Sequence, residues 1–317
     1  MSLRYDYTPA EVRGLLEAPL FELLDRARAL HLMRHPPNEI ELCTLVNVKT
    51  GGCSEDCGYC SQSVRHPVAR REPMLELRDV LAAAEEARQN GSARLCLGAA
   101  WPGPRGDRSF EQVLDMIGAV KRLGLETCVT LGRLSLEQAK TLKAAGLDVY
   151  NHNLDTSRDF YPEVVSTHSF DDRLETLRNV RAAGLRVCSG GIIGMGESVR
   201  DRASLLAELA ALDPPPESVP INALVPIPGT PLGDRPRVDA LEVVRMVAAA
   251  RIVLPRSRVR LSAGRKDLGR EAQLLCLYAG ANSIFWGDRL LTTDNAAPDA
   301  DRALLRAAGL RARAPEP

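Results

Sequence analysis

Apolar positions along this chain follow two alternating rhythms. Stretches with apolar residues every three or four positions end in a glycine, and a short apolar, β-branched run follows within a few residues. The joints read QNGSARLCLGAA, RLGLETCVTLG, AAGLDVYNHNLD, AAGLRVCSGGIIG and YAGANSIFWG. Gly91, Gly124, Gly146, Gly184 and Gly280 stand where a left-handed helix cap is expected, a conformation glycine adopts without a Cβ clash. With further runs at 42–50, 219–225 and 258–263, the pattern predicts eight strands. Helical stretches over 75–89, 109–123, 135–145, 170–183, 199–212, 238–253 and 265–279 separate them. Strands and helices alternating at a spacing of about 30 residues predict parallel βαβ units.

Eight such units imply an α/β fold, a closed (β/α)8 barrel of the TIM type, whose usual size is about 250 residues. An open doubly wound sheet is the alternative, but it would carry a glycine-rich phosphate loop after its first strand, and none is present. Residues 1–40 are expected to form a helical extension outside the barrel, 41–310 the barrel itself, and 311–317 a flexible tail.

Composition narrows the function. The 317 residues carry 41 basic and 41 acidic side chains, so no net charge argues for nucleic acid as a partner. No apolar run approaches the ~18–20 residues of a membrane span. Charges interrupt the N-terminal stretch every few residues, leaving no apolar signal core, so the expected compartment is the cytoplasm. In that compartment eight cysteines point to metal binding or catalysis before disulfides.

Three of the eight crowd into CSEDCGYC, at Cys53, Cys57 and Cys60, directly after the first predicted strand. In a barrel that loop lies on the C-terminal face, where active sites are built. Zinc would want a fourth protein ligand, and a ferredoxin-type run would carry a fourth cysteine. Three thiolates on a cubane cluster leave one iron open, the mark of a catalytic site.

The spacing CxxxCxxC, with the aromatic Tyr59 before the last cysteine, resembles the motif of the radical S-adenosylmethionine superfamily. Further blocks resemble the biotin synthase family within it: KTGGCSEDCGYCSQS, GAAW at 98–101, YNHNLDTS at 150–157, VCSGGIIGMGE at 187–197, ESVPINALVPIPGTPL at 217–232, VRLSAGR at 259–265 and AGANSIFWGDRLLTT at 279–293. They follow one another in the family's order from residue 49 to 293. The resemblance implies a radical sulfurtransferase that inserts sulfur into dethiobiotin, the last step of biotin synthesis. It also implies a 4Fe–4S cluster on Cys53, Cys57 and Cys60 with S-adenosylmethionine bound to its open iron. A flavodoxin or ferredoxin as electron donor and a homodimeric state are implied with it.

Strand alternation puts Asn151, Asn153 and Asp155 on one face and His152 with Leu154 on the other. Three polar groups on an inward face must meet a ligand or one another. His152 is expected against the helical layer. The resemblance assigns Asn153 and Asp155 to S-adenosylmethionine, with Asp155 on the ribose hydroxyls, and adds Tyr59, Arg173, Ile192 and the backbone near Val225. It assigns Asn151, Asn153 and Asn222 to dethiobiotin. Lys49, in a chain poor in lysine, stands at the end of the first strand, where an ammonium could meet the substrate's carboxylate or ring carbonyl.

Cys96, Cys128 and Cys188 fall singly on the second, third and fifth strands. On spacing alone, a second metal centre and three small buried side chains remain equal readings. The resemblance implies a 2Fe–2S cluster held by these three and by Arg260, a residue that chemistry alone would assign to an anion. Cys43 and Cys276 are expected as core residues. Within the superfamily a rearrangement or maturation enzyme is the rival, and a non-catalytic iron–sulfur carrier the rival from another class. Neither needs both the second cysteine set with Arg260 and the inward polar face.

Overall fold

The computed structural model describes residues 4–314, and its centre is a ring of parallel strands. In chain order these are β1 (Glu39–Lys49), β2 (Arg94–Ala99), β3 (Glu126–Thr130), β4 (Val149–Asn151), β5 (Arg186–Cys188), β6 (Gly191–Ile193), β7 (Ser218–Ala223), β8 (Arg258–Leu261) and β9 (Ser283–Trp286). β1 pairs with β9, Glu41 facing Ser283 and Thr44 facing Trp286, and this closes the barrel. β5 and β6 together form one of its eight staves, both pairing with β7. The break between them falls at Ser189–Gly190, where a Cβ on Gly190 would lie 2.0 Å from the Pro220 carbonyl oxygen.

Helices wrap the ring: α1 (Pro9–Glu17), α2 (Leu20–Arg34), α3 (Leu77–Gln89), α4 (Arg108–Arg122), α5 (Leu136–Ala144), α6 (Phe170–Ala182), α7 (Val199–Ala211), α8 (Ala240–Val253), α9 (Arg270–Tyr278) and α10 (Pro298–Ala308). Serine caps fix several starts. Ser135, Ser169 and Ser198 each form a capping box with the third residue of the helix they open. The stretch expected as one helix over 265–279 is instead a short 3-10 turn, Arg265–Asp267, followed by α9. α1 and α2 pack on the outside against α7 and α8. Arg311–Ala312, inside the span expected to be tail, pairs in parallel with Glu39–Ile40 as β10, while 315–317 lie outside the described residues. Among the described residues no helix is long and apolar enough to cross a membrane.

Alternation along the strands divides the core in two. Leu95, Leu97, Val129, Tyr150 and Val187 face outward into the large apolar layer shared with the helices. Cys43, Cys96, Cys128, Val149 and Cys188 face inward and form a separate cluster, with Leu45 and Phe285 against it. Below it, at the N-terminal ends of the strands, lies a charged floor. The Glu41 carboxylate is buried there against Arg94 at 3.4 Å, Arg258 at 3.4 Å, Arg260 at 3.3 Å and Arg313 at 3.8 Å. An isolated buried carboxylate costs several kcal/mol, so these guanidiniums are what permits it. They hold Glu41 well below the usual carboxylate range despite its burial.

Candidate functional site

A cavity of about 370 Å³ opens at the C-terminal ends of the strands and descends into the barrel. Its lining runs from Cys53, Cys57 and Cys60 at the mouth to Cys96, Cys128 and Arg260 at the base. Asn151, Asn153, Asp155, Arg173, Ile192, Asn222 and Val225 form its walls.

The mouth is built from the loop after β1. Its two acidic residues, which carry no motif in the sequence, tie it down. Asp56 accepts from the amides of Ser166 at 3.0 Å and Thr167 at 3.2 Å. Glu55 accepts from Arg133 at 3.0 Å and pairs with His168 Nδ1 at 2.8 Å. The Gly58 amide donates to the Val164 carbonyl at 2.9 Å. The loop is thereby fixed to the segment entering α6, and its three thiols are held toward the cavity. Burial raises the thiol pKa of Cys57 to about 12 and of Cys60 to about 11. These groups are thiols when free, and a metal must displace their protons.

Above the base stands a polar wall. Tyr59 donates to Asp155 Oδ2 at 2.7 Å, and Arg173 Nη2 lies 2.7 Å from the same oxygen. Arg173 also donates to the Asn153 carbonyl at 2.7 Å and contacts Tyr161. Asn153 Oδ1 accepts from Asn151 at 3.2 Å and from the Gly190 amide at 3.2 Å. Asn151 accepts from Thr130 at 3.0 Å, and its amide lies 3.3 Å from Cys188 Sγ. Asn222 donates to the Gly191 carbonyl at 2.9 Å. Both Asp155 contacts fall on Oδ2, which leaves Oδ1 as the carboxylate's remaining acceptor in the cavity wall.

Strand alternation explains Asn151 but not its two neighbours. β4 ends at Asn151, and Asp155 has a φ of 67°, a left-handed backbone that bridges to Gly191. Irregular backbone carries Asn153 and Asp155 to the wall. His152 keeps its expected link to the helical layer, its ring centroid 6.4 Å from that of Tyr150. It is buried in the cavity lining, its Nε2 has no hydrogen-bond partner, and burial holds it neutral.

Lys49 ends β1, as expected. The β1–β2 register shifts between Asn47 and Lys49, and the ammonium turns to the Gly51 carbonyl instead of lining the cavity. Cys276 is a core thiol, as expected, raised to about 12 by burial alone.

At the base the three single cysteines converge, and Cys43 joins them. Cys96 and Cys128 are direct partners across β2 and β3. The Cys96 thiol contacts those of Cys43 and Cys128, and Cys128 contacts Cys188. Contact with Cys128, opposed by burial and aided by Arg260 and Arg94, lowers Cys188 to about 6. Arg260 is fully buried, donates to Ser283 at 2.9 Å and reaches toward Cys188 Sγ at 3.9 Å. Cys43, expected as a core residue, shares its strand face with Leu45, which lines the cavity. Among the described residues no three His, Cys, Asp or Glu side chains close on a single ion. The fit to iron–sulfur groups rests on the donors themselves: three thiols at an open mouth, and buried thiols with arginines to balance thiolate charge.

The radical SAM superfamily pattern matches residues 47–209, and the biotin and thiamin synthesis associated domain matches 220–311. The chain is 60% identical to the biotin synthase of Sorangium cellulosum, over 98% of this chain and 90% of that one. It is 57% identical to that of Beijerinckia indica, over 96% of each. Among solved structures, methylornithine synthase superposes with a TM-score of 0.81 at 20% identity, covering 98% of this chain and 94% of that one. The FeFe-hydrogenase maturase of Carboxydothermus hydrogenoformans gives 0.82 at 17% identity, covering 96% and 76%. Those two likenesses concern the barrel alone. On sequence the chain belongs to the biotin synthase family of radical SAM enzymes.

Proposed function

We propose that this chain forms biotin by inserting sulfur into dethiobiotin. Cys53, Cys57 and Cys60 would hold a 4Fe–4S cluster that binds S-adenosylmethionine, and Cys96, Cys128, Cys188 and Arg260 a 2Fe–2S cluster. When bound, these groups supply the electron, the hydrogen abstraction and the sulfur, which no side-chain acid or base can provide at an unactivated C–H bond.

The protein's part is placement. Asp155, held by Tyr59 and Arg173, presents a fixed carboxylate to the ribose hydroxyls, and Asn153, Ile192 and the backbone at Val225 line the same pocket. Burial keeps the Tyr59 phenol protonated, so it serves as a donor to Asp155. Asn151 and Asn222 offer amide donors and acceptors that match a ureido ring. Lys49, at the rim, would meet the substrate's carboxylate only by leaving Gly51. The enclosing barrel keeps water from the reacting carbon. A small reducing protein such as a flavodoxin or ferredoxin would supply electrons, in the cytoplasm, to a homodimer.

One observation carries this reading: a single cavity joins the three-thiol mouth to the thiol and arginine base, with the polar wall between them. Anaerobic incubation with reductant, S-adenosylmethionine and dethiobiotin tests it by quantifying biotin. Folded protein carrying both clusters that cleaves S-adenosylmethionine but yields no biotin would overturn it.

A further inference from the structure

The ligand set implied by family resemblance uses three cysteines and Arg260, yet the base of the barrel holds a fourth thiol. Cys43 has no solvent exposure and belongs to the same inward cluster as Cys96, Cys128 and Cys188. Its thiol contacts that of Cys96, and Arg260 Nη2 donates to its sulfur at 3.0 Å. The four thiols form a row, Cys43, Cys96, Cys128, Cys188, and Arg260 spans the two ends.

Cys43 also differs from an ordinary buried cysteine. Cys276 sits in the helical layer with no hydrogen-bond partner for its thiol. Cys43 lies 3.4 Å from Glu41 Oε2 and 3.7 Å from Ser283 Oγ in addition to Arg260. A small hydrophobe needs none of these contacts.

We propose that Cys43 is a reserve ligand of the deep cluster, able as a thiolate to take the position held by Arg260. The inference rests on the deep-cluster reading above. A thiolate is the softer donor and suits an iron–sulfur centre, whereas a guanidinium must first give up a proton it holds tightly. The exchange balances within the pair. The cluster iron would trade the Arg260 nitrogen for the Cys43 sulfur, and the Cys43 proton would return to Arg260 across their 3.0 Å contact, with no oxidant or reductant consumed. Arg260 then remains as a buried cation beside the added thiolate.

The test compares Arg260→Met with Arg260→Met/Cys43→Ala after anaerobic reconstitution, reading iron, sulfide and the Mössbauer spectrum of the second cluster. The single variant should keep the cluster, and its Mössbauer spectrum should change when Cys43 is removed as well, since the introduced methionine alone could also offer sulfur. Loss of an outer contact already weakens metal sites about 10–100-fold, so the double variant should bind it at least about tenfold more weakly. Arg260→Met/Cys43→Ser, closer in shape, carries the test if the alanine variant fails to fold, with first-cluster iron reporting the fold. The proposal is overturned if Arg260→Met loses the second cluster as fully as the double variant does. It is equally overturned if the double variant keeps as much as the single. A second cluster retained in Cys96→Ala/Cys128→Ala, which removes more ligands than one reserve thiol can replace, would instead overturn the deep-cluster reading itself.

Discussion

The mouth and the base of this barrel both gather thiols, but they do so in opposite ways. At the mouth, three cysteines come from one eight-residue loop, stand partly exposed, and are raised in pKa by burial. At the base, four cysteines come from four strands, β1, β2, β3 and β5, and are fully buried. Two of the base thiols, Cys96 and Cys188, are shifted down by contact with their neighbours, with Arg260 and Arg94 contributing. The mouth is a site built by local spacing and open to exchange. The base is built by topology and closed by a charged floor. Such a division would suit the proposed pair of centres, one releasing products after every turnover above one holding sulfur until it is used.

The largest effect should come from the wall between the two. Among the described residues, Arg173 alone is paired as a cation with the buried Asp155, whereas Glu41 in the floor has several. Arg173→Leu should destabilise the fold by about 3–5 kcal/mol, since it strands a buried charge. Chemical denaturation checks this, and a loss below about 1 kcal/mol would mean that Asp155 has found other partners.

Asp155→Asn should act on binding more than on folding. Replacing a charge-assisted acceptor by a neutral one costs about 1.5–3 kcal/mol, or roughly 10- to 150-fold in S-adenosylmethionine affinity, with both clusters assembled. Equilibrium binding at unchanged affinity would remove Asp155 from the ribose site.

Acid should weaken the packing of the α2 end that carries His31 and His35. Burial and Arg251 lower His31 to about 4 and His35 to about 3, against 6.5 for an ordinary histidine. Their contribution to stability is full above pH ~6.5 and is lost as pH falls, because the unfolded chain then binds more protons. The melting temperature should drop between pH ~6.5 and ~4, and less steeply in His35→Gln, whose amide oxygen can still accept from Arg251. An identical slope in that variant would place the acid sensitivity elsewhere.

Periodicity and glycine caps make the barrel legible in the sequence because each βαβ unit repeats the same physical problem. The mouth is legible for a different reason: cluster ligands within one loop leave their spacing in the sequence. The wall is legible only in part. Asn151 obeys strand alternation, but Asp155 reaches its place through its own left-handed backbone, which strand alternation does not reveal. At the base, Cys96, Cys128 and Cys188 give equal weight to a centre and to packing until the strands are placed side by side. Cys43 becomes legible only through its strand face, which it shares with Leu45. The role of Arg260 follows from family resemblance, because a guanidinium offers no lone pair by its ordinary chemistry.

The division of labour between mouth and base is tested most directly by assaying two variants for two products. Cys57→Ala and Cys128→Ala are each incubated without oxygen with reductant, S-adenosylmethionine and dethiobiotin, and both 5′-deoxyadenosine and biotin are quantified. Circular dichroism and the iron of the remaining cluster control for the cavity that a lost side chain leaves. Cys57→Ala should form neither product, whereas Cys128→Ala should still form 5′-deoxyadenosine but no biotin. Biotin made by folded Cys128→Ala protein whose second cluster is verifiably absent would contradict the assignment of sulfur delivery to the base.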